Sequence, residues 1–227
     1  MSDTPPIIPP QAEPASRRKT RAKGEKSRQA ILTAAMVVIA KKGLHAVTHR
    51  AIAAEAGVPL SLTTYFFTSL QDLIDQTFDH FVAMTATDNA RLLEQIAGFV
   101  NAASPERFAD PAMRKRLHQE VSAALSAFIL HEADVHSVGI AVELNYLYLF
   151  RLTENLAAKV LAYRNNLVAE IAKLIQPIAP EQPEIDASLV LGMVHRLEFD
   201  CINRPHAALR EQVENEVSRL VGFVLKT

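Results

Sequence analysis

The apolar positions of this 227-residue chain recur every three to four residues along most of its length, the spacing that places them on one face of an α-helix. The first such segment predicts a helix over residues 24–42, because Gly43 after two lysines is a typical helix end. Its apolar positions are Ile31, Leu32, Ala35, Val38 and Ile39. We expect this helix to pack behind the segment that follows it.

Residues 48–67 predict two short helices joined by a tight turn, which is a helix-turn-helix. Thr48 can cap the first helix, since its hydroxyl can accept a backbone N–H of the first turn. Gly57 can adopt the left-handed conformation that reverses the chain, and Val58 would fill the angle between the helices. The second helix is the candidate DNA reader, and its available polar side chains are Ser61, Thr63, Thr64 and Tyr65.

A fourth helix is predicted to begin at Thr68 or Ser69, because Thr68 and Gln71 have capping-box spacing and Ser69 is an equally good cap. Its apolar stripe comprises Leu70, Leu73, Ile74, Thr77, Phe78, Phe81 and Met84. Beyond Thr87 we expect helices over residues 89–103, 111–132, 136–150, 154–175, 187–203 and 207–225, with breaks at Pro105, Asp134, Thr153, residues 177–183 and Pro205. The scarcity of Gly and the clustering of Pro leave few β-turn signals, so the pattern predicts an all-α protein.

Three groups of residues follow one another in order between residues 21 and 80. They are Lys41-Lys42-Gly43, then Val47-Thr48-x-Arg50-x-Ile52-Ala53-x-x-Ala56-Gly57-Val58, then Tyr65-Phe66-Phe67-x-Ser69-x-x-x-Leu73. This series resembles the N-terminal DNA-binding domain of the TetR family of bacterial transcription regulators. The resemblance implies an N-terminal three-helix helix-turn-helix domain joined by a long fourth helix to a larger C-terminal helical ligand-binding and dimerisation domain.

The charge of the chain is uneven. Residues 17–28 contain seven basic residues and one acid, a net charge of +6 in a chain whose formal net charge is −1. Beside a helix-turn-helix, such a run predicts salt-dependent binding to phosphates, while a solubilising tail is the alternative. We therefore expect a disordered, proline-rich tail over residues 1–16, a basic arm over 17–23, the DNA-binding domain over 24–85 and the effector-binding and dimerisation domain over 86–227.

The DNA-contacting candidates combine the basic arm with the two short helices. Pro59 suits a first helical turn, and Leu60 could contact a thymine methyl group. The sequence departs from the family pattern at Leu70, where a lysine commonly follows the serine, so one phosphate contact is in doubt. For each candidate the alternative is an ordinary solvent-exposed helix position. The complete set is Arg21, Lys23, Arg28, Thr48, His49, Arg50, Pro59, Leu60, Ser61, Thr63, Thr64 and Tyr65.

The resemblance also implies a small-molecule effector in the body and a homodimer formed by the last two helices, bound to a pseudo-palindromic double-stranded DNA operator. Polar side chains on largely apolar helices are costly to bury without a partner. We therefore take such side chains, with the apolar ones beside them, as candidates for the lining of an effector pocket. For each of them a satisfied structural hydrogen bond is the alternative. These candidates are His118, Ser122, Leu125, Phe128, Glu143, Tyr146, Leu147, Phe150, His195 and Glu198.

Two other classes of function remain as alternatives: a helical enzyme, metal-dependent or small-molecule-binding, and a helical protein whose basic end binds nucleic acid without sequence preference. The chain lacks a Glu-x-x-His pair, a His-Glu-x-x-His motif, a Gly-x-Ser-x-Gly elbow and a Gly-rich phosphate loop. His195 and Glu198 share one helical face, a spacing that could bind metal but is weak evidence by itself. We therefore expect no enzyme and no catalytic residue, cofactor or metal. The family resemblance alone favours a repressor over an activator.

The cellular location is also predictable from the sequence. No apolar run approaches the length of a membrane span, and the N-terminus lacks the pattern of a signal peptide. Cys201 is the single cysteine, so it cannot form an internal disulfide and is expected to be a small buried residue. These features predict a cytoplasmic protein with no membrane partner.

Overall fold

The computed structural model describes residues 15–102, 108, 110–149, 152–204 and 208–226, with the backbone alone for residues 15–21. Within these ranges the chain is α-helical and contains no strand, which confirms the predicted all-α fold. The helices are α1 (Ala15–Lys42), α2 (His49–Ala56), α3 (Leu60–Phe66), α4 (Leu70–Ala102), α5 (Pro111–Val135), α6 (Ser137–Tyr148), α7 (Glu154–Ile175), α8 (Pro183–Asn203) and α9 (Arg210–Leu225), with one 3₁₀ turn at Leu44–Ala46.

The predicted helix-turn-helix is present in α2 and α3. The Thr48 hydroxyl accepts the backbone N–H of Ala51 at 3.0 Å, so Thr48 caps α2 as expected. Gly57 adopts the left-handed conformation, with φ 64° and ψ 33°, and ends that helix. Both helices pack on α1 and the first turns of α4 around a shared core. Its fully buried members include Ile31, Ile39, Ile52, Phe67 and Leu73.

Helix α1 begins at Ala15 rather than at residue 24, so the predicted start was too late. The backbone of residues 17–23 therefore belongs to the first turns of α1 and does not form a separate arm. The predicted disordered tail falls on residues 1–16, of which residues 1–14 lie outside the described part of the chain.

Helix α4 is continuous from Leu70 to Ala102, so the separate helix predicted over residues 89–103 was wrong. Residues 85–89 contain neither Gly nor Pro, and nothing in them interrupts the helix. Ser69 provides the cap, since its hydroxyl accepts the backbone N–H of Asp72 at 3.0 Å. The expected domain boundary at residues 85–86 lies inside this helix, so α4 belongs to both parts of the molecule.

Helices α5 to α9 and the second half of α4 form the body. Helix α5 packs against α4, α8 and α9, while α7 packs along α8. Helix α6 turns away from α5 by 99° and packs against α1 and α4, which joins the body to the DNA-binding domain. The break predicted at Asp134 was wrong, because α5 continues to Val135 and the chain turns at His136.

The start of α8 differs from the predicted residue 187, because Pro183 occupies the first helical turn, where its missing N–H leaves no hydrogen bond unmade. The breaks predicted at Pro105 and Pro205 lie outside the described residues. Among the described helices, none alone has the length and apolarity of a membrane span, and only the sharply bent pair α5 and α6 meets that test when taken together.

Candidate DNA-binding surface and effector cavity

Helix α3 has one buried face and one exposed face. Thr63 and the following Phe67 are buried in the core, whereas Leu60, Ser61 and Thr64 are exposed. Tyr65 is the most exposed of the large side chains on this helix, at 79%, and its ring rests edge-on against Phe66 with the ring centroids 5.0 Å apart. The exposed face is backed by a buried core and carries hydroxyl groups, as expected of a DNA-reading helix.

The structure corrects the assignment of Thr63. This side chain is fully buried, and its hydroxyl donates to the Leu60 carbonyl oxygen at 2.8 Å and lies 3.2 Å from Nδ1 of His49. Thr63 and His49 therefore join α3 to α2 instead of facing DNA together. Burial of the threonine depends on α2 packing over that position, which the spacing within α3 does not reveal.

The other predicted DNA contacts divide into exposed and anchored groups. The side chains of Lys23, Thr48, Arg50 and Pro59 are exposed. Arg28 is half-buried instead: it donates to the Gln76 side chain of α4, lies 3.5 Å from the Glu25 carboxylate, and approaches the Phe67 ring at 5.9 Å from its centroid. Arg28 thus holds α1 against α4. For Arg21 the structure describes the backbone only.

A cavity of about 150 Å³ lies within the body. Its walls are apolar side chains of α4, α5, α7, α8 and α9, and its polar lining is Asn89, Glu143, His195 and Glu198. Helix α4 contributes Leu92, Leu93 and Ile96. The same helix that forms part of the DNA-binding core therefore lines the cavity.

The polar end of the cavity brings together side chains from three helices. Nε2 of His195 lies 3.2 Å from Oε1 of Glu143, and the Tyr163 hydroxyl donates to the same oxygen at 2.9 Å. Glu198 is only 5% exposed. Burial raises the pKa of Glu198 well above its ordinary value, and the neighbouring Glu143 and Glu132 carboxylates raise it further. Burial, followed by the Glu143 charge, also raises the pKa of Tyr163.

Five of the predicted effector residues line this cavity: Leu125, Phe128, Glu143, His195 and Glu198. His118 is elsewhere, with Nε2 2.8 Å from the Ser218 carbonyl oxygen, so it joins α5 to α9. Ser122 is buried and is absent from the cavity wall, and its hydroxyl has no hydrogen-bond partner among the described residues. Phe150 lies outside the described residues.

Tyr146 and Leu147 do not line the cavity. Tyr146 is fully buried on the opposite side of α6, where its hydroxyl donates to the Ile74 carbonyl oxygen at 2.9 Å. Its ring meets Phe78 edge-on at 4.9 Å, and Leu147 packs against the same core. The two residues lie away from the cavity because α6 is enclosed on two sides, and sequence periodicity did not indicate which side faces the cavity.

Tyr163 was not predicted to have a role. Besides bonding to Glu143, its ring packs edge-on against Phe78 and Phe81 of α4, with centroid distances of 5.8 Å in both cases. The sequence around a tyrosine in the middle of an amphipathic helix does not indicate which distant side chains it will contact. The contacts depend on α4, α6 and α7 meeting at one point.

The sequence of the helix-turn-helix also matches a known family. Residues 31–77 match the sequence profile of the bacterial regulatory proteins of the tetR family. The DNA-binding domain of this chain is of the TetR type. The match covers α2, α3 and the adjoining parts of α1 and α4, which is the region whose packing and capping are described above. No curated protein sequence matches the chain.

Solved structures extend the TetR-type fold to the body. A transcriptional regulator from Rhodococcus sp. RHA1 is 20% identical, with a TM-score of 0.64, and the alignment covers 88% of this chain and 96% of that one. NalD of Pseudomonas aeruginosa, the secondary repressor of the MexAB-OprM multidrug efflux pump, is 17% identical, with a TM-score of 0.56 and coverage of 87% and 96%. The multidrug-binding protein EbrR, solved with malachite green, is 22% identical, with a TM-score of 0.51 and coverage of 85% and 96%.

Proposed function

We propose that this protein is a TetR-family regulator, a sequence-specific repressor that binds DNA as a homodimer and releases it when a small molecule occupies the cavity. The observation that carries the proposal is the exposed face of α3, where Ser61, Thr64 and Tyr65 project from a helix anchored in a buried core. NalD is named as a repressor and EbrR as a multidrug-binding protein, and both names support this role.

The side chains on α3 suit the major groove, which is wide enough to admit an α-helix. The hydroxyls of Ser61, Thr64 and Tyr65 can each donate to or accept from base edges and phosphates. The exposed Arg50 side chain can pair with a phosphate beside them. We infer that α3 supplies base contacts, while Arg50 and the basic turns of α1 supply salt-dependent affinity.

The proposed dimer surface lies on α8 and α9. On α8 the exposed side chains of Ile185, Leu189 and Phe199 share one face at the spacing of a two-helix seam, and Phe223 of α9 is 70% exposed. An ion pair between Arg196 and Glu216 joins the two helices. Exposed apolar stripes of this kind mark interaction surfaces. A two-fold copy would cover the stripe and set two α3 helices about one DNA turn, roughly 34 Å, apart.

The proposed effector is a small, largely apolar molecule with one polar group. The cavity volume of about 150 Å³ resembles that of an engineered apolar cavity that binds benzene, so a single ring fits without movement of the walls. Its polar group would meet Glu143 and His195. A ligand that prefers one spacing of the DNA-binding domains shifts the population toward that spacing and weakens binding to the operator.

The proposal can be tested without knowing the operator. We would select binding sites from random double-stranded DNA, then measure affinity for the selected site and a scrambled duplex by fluorescence anisotropy at two salt concentrations. We expect preference for the selected site and weaker binding at higher salt. Thr64→Ala combined with Tyr65→Ala should lower affinity for the selected site at least tenfold, since base contacts contribute about 1–3 kcal/mol each.

The matched control is Tyr148→Ala, which removes an exposed tyrosine from the body at a position that is 69% exposed. It should leave DNA affinity unchanged. If the double variant keeps its preference for the selected site, α3 is not the reading helix. If selection yields no preferred site and both duplexes bind equally, the proposed specific repressor is wrong and non-specific nucleic-acid binding is favoured.

A further inference from the structure

We propose that Glu143, His195 and Glu198 bind one divalent transition-metal ion, with zinc as the representative ion, at the polar end of the cavity. The inference concerns the cavity assigned above to an effector, and so rests on that part of the proposed function. It concerns metal binding alone, so it can fail while DNA recognition stands.

The three side chains converge on one point. One donor atom from each lies within 4.8 Å of the donor atoms of the other two. The contact between Nε2 of His195 and Oε1 of Glu143 is 3.2 Å. Two ligands bonded at about 2.0–2.1 Å to a tetrahedral zinc ion are about 3.3 Å apart, so this pair is already close to the spacing that zinc requires. An ion could enter between them with little movement.

Glu198 provides independent support for a bound cation. Its side chain is buried and faces the cavity, and within the described residues its carboxylate makes no hydrogen bond or ion pair. Its charged neighbours include two further carboxylates, Glu143 and Glu132. The ionised form of a buried carboxylate beside other carboxylates is unfavourable, and a bound dication would offset that cost. Apart from Asn89, the remaining cavity wall is apolar.

The donor set indicates the class of ion. One imidazole nitrogen with carboxylate oxygens suits borderline metals such as Zn²⁺ or Co²⁺, whereas Mg²⁺ prefers oxygen ligands alone. The Tyr163 hydroxyl that donates to Glu143 is the kind of outer hydrogen bond that orients a ligating carboxylate. Three protein ligands would leave a coordination position open toward the apolar part of the cavity.

A second cluster of possible metal ligands in the same protein can be compared with this site. Asp88, Glu132 and His136 also lie close together, but His136 is 41% exposed and its Nδ1 is already 2.9 Å from Glu132. Asp88 is paired with Arg91 at 2.9 Å, so a cation is already present there. The carboxylates of this cluster already have partners and have less need of an added ion, so we use it as the control.

The test is direct titration of the full-length, chelator-treated protein with Co²⁺, followed by visible absorption, and with Zn²⁺ by calorimetry. We expect one ion per chain and d–d absorption bands of a low-coordinate Co²⁺ site, with Mg²⁺ unable to displace it. His195→Ala and Glu198→Gln should each weaken binding at least tenfold, because even outer-sphere changes cost 10–100-fold at metal sites. His136→Asn should bind as wild type does.

The unfolding temperature of each variant is first measured without metal, to confirm that it folds. If His195→Ala fails to fold, the near-isosteric Glu198→Gln provides the test alone. The proposal is overturned if wild-type protein takes up no Co²⁺, or if uptake is unaffected by Glu198→Gln and lost in His136→Asn. It is also overturned if a small aromatic amine binds in a Glu198-dependent manner while every metal fails, since the site would then serve an organic cation.

Discussion

Tyr146 connects the body to the DNA-binding domain, and its removal should be strongly destabilising. The side chain is fully buried, its ring packs edge-on against Phe78 at 4.9 Å, and its hydroxyl donates to the Ile74 carbonyl oxygen at 2.9 Å. Burial raises the pKa of Tyr146, so the hydroxyl stays protonated and remains a donor at neutral pH. Truncating a buried aromatic side chain costs about 3–5 kcal/mol, and losing one hydrogen bond costs about 0.5–1.5 kcal/mol.

We therefore expect Tyr146→Ala to lower the free energy of unfolding by about 3–5 kcal/mol and Tyr146→Phe by about 1 kcal/mol. The assay is urea unfolding followed by circular dichroism, at one protein concentration because dimerisation contributes to stability. Tyr148→Ala, two residues away on α6 but exposed, should change stability by less than about 0.5 kcal/mol. Equal effects of Tyr146→Ala and Tyr148→Ala would refute the assignment of α6 as a buried connection.

Two further predictions concern assembly and acid stability. The double variant Leu189→Glu and Phe223→Glu should convert the proposed dimer to a monomer in sedimentation experiments. The control Met84→Glu, at an exposed site on α4, should remain a dimer. If the double variant keeps the mass of the wild-type protein, α8 and α9 do not form the dimer surface. The hydrogen bond from Gln76 is the main cause that lowers the pKa of Asp72 in the folded protein. The ionised Asp72 therefore stabilises the fold fully above its ordinary pKa of 3.8, and this stabilisation is lost as the pH falls through the lower pKa of the folded state. Asp72→Ala should thus be less stable than wild type at neutral pH, and the difference should disappear in strong acid; a difference that persists there would contradict this cause.

The helix-turn-helix was predictable from sequence because its signals are local. A cap at Thr48, a left-handed Gly57 and a helix end at Gly43 each depend on a few neighbouring residues, and all three agree. Thr64 and Tyr65 were also predicted to be available on the surface of α3, and both are exposed. Thr63 was misassigned because a threonine can be buried when its hydroxyl has partners. The contact with His49 becomes apparent only after α2 and α3 have packed.

The cavity was only partly predictable because it depends on contacts between distant helices. The polar residues Glu143, His195 and Glu198 were identifiable as unusual on apolar helices, but their convergence was not. Tyr146 is likewise a polar side chain on a largely apolar helix, but it lies in the core and not in the cavity wall. The apolar walls on α4 and α9 have no distinguishing feature in the sequence, since any amphipathic helix would show the same pattern.

The continuity of α4 gives the proposed regulation a physical route. Leu73 is fully buried in the DNA-binding core and Leu92 lines the cavity, and the helix between them is about 28 Å long at 1.5 Å per residue. A tilt of about 5° over that length moves one end by about 2.5 Å. Tyr163 contacts α4 between Leu73 and Leu92, through Phe78 and Phe81, while its hydroxyl donates to Glu143. In the proposed mechanism, any occupant that draws Glu143 toward the cavity therefore acts on Tyr163, and through it on the helix that positions α3.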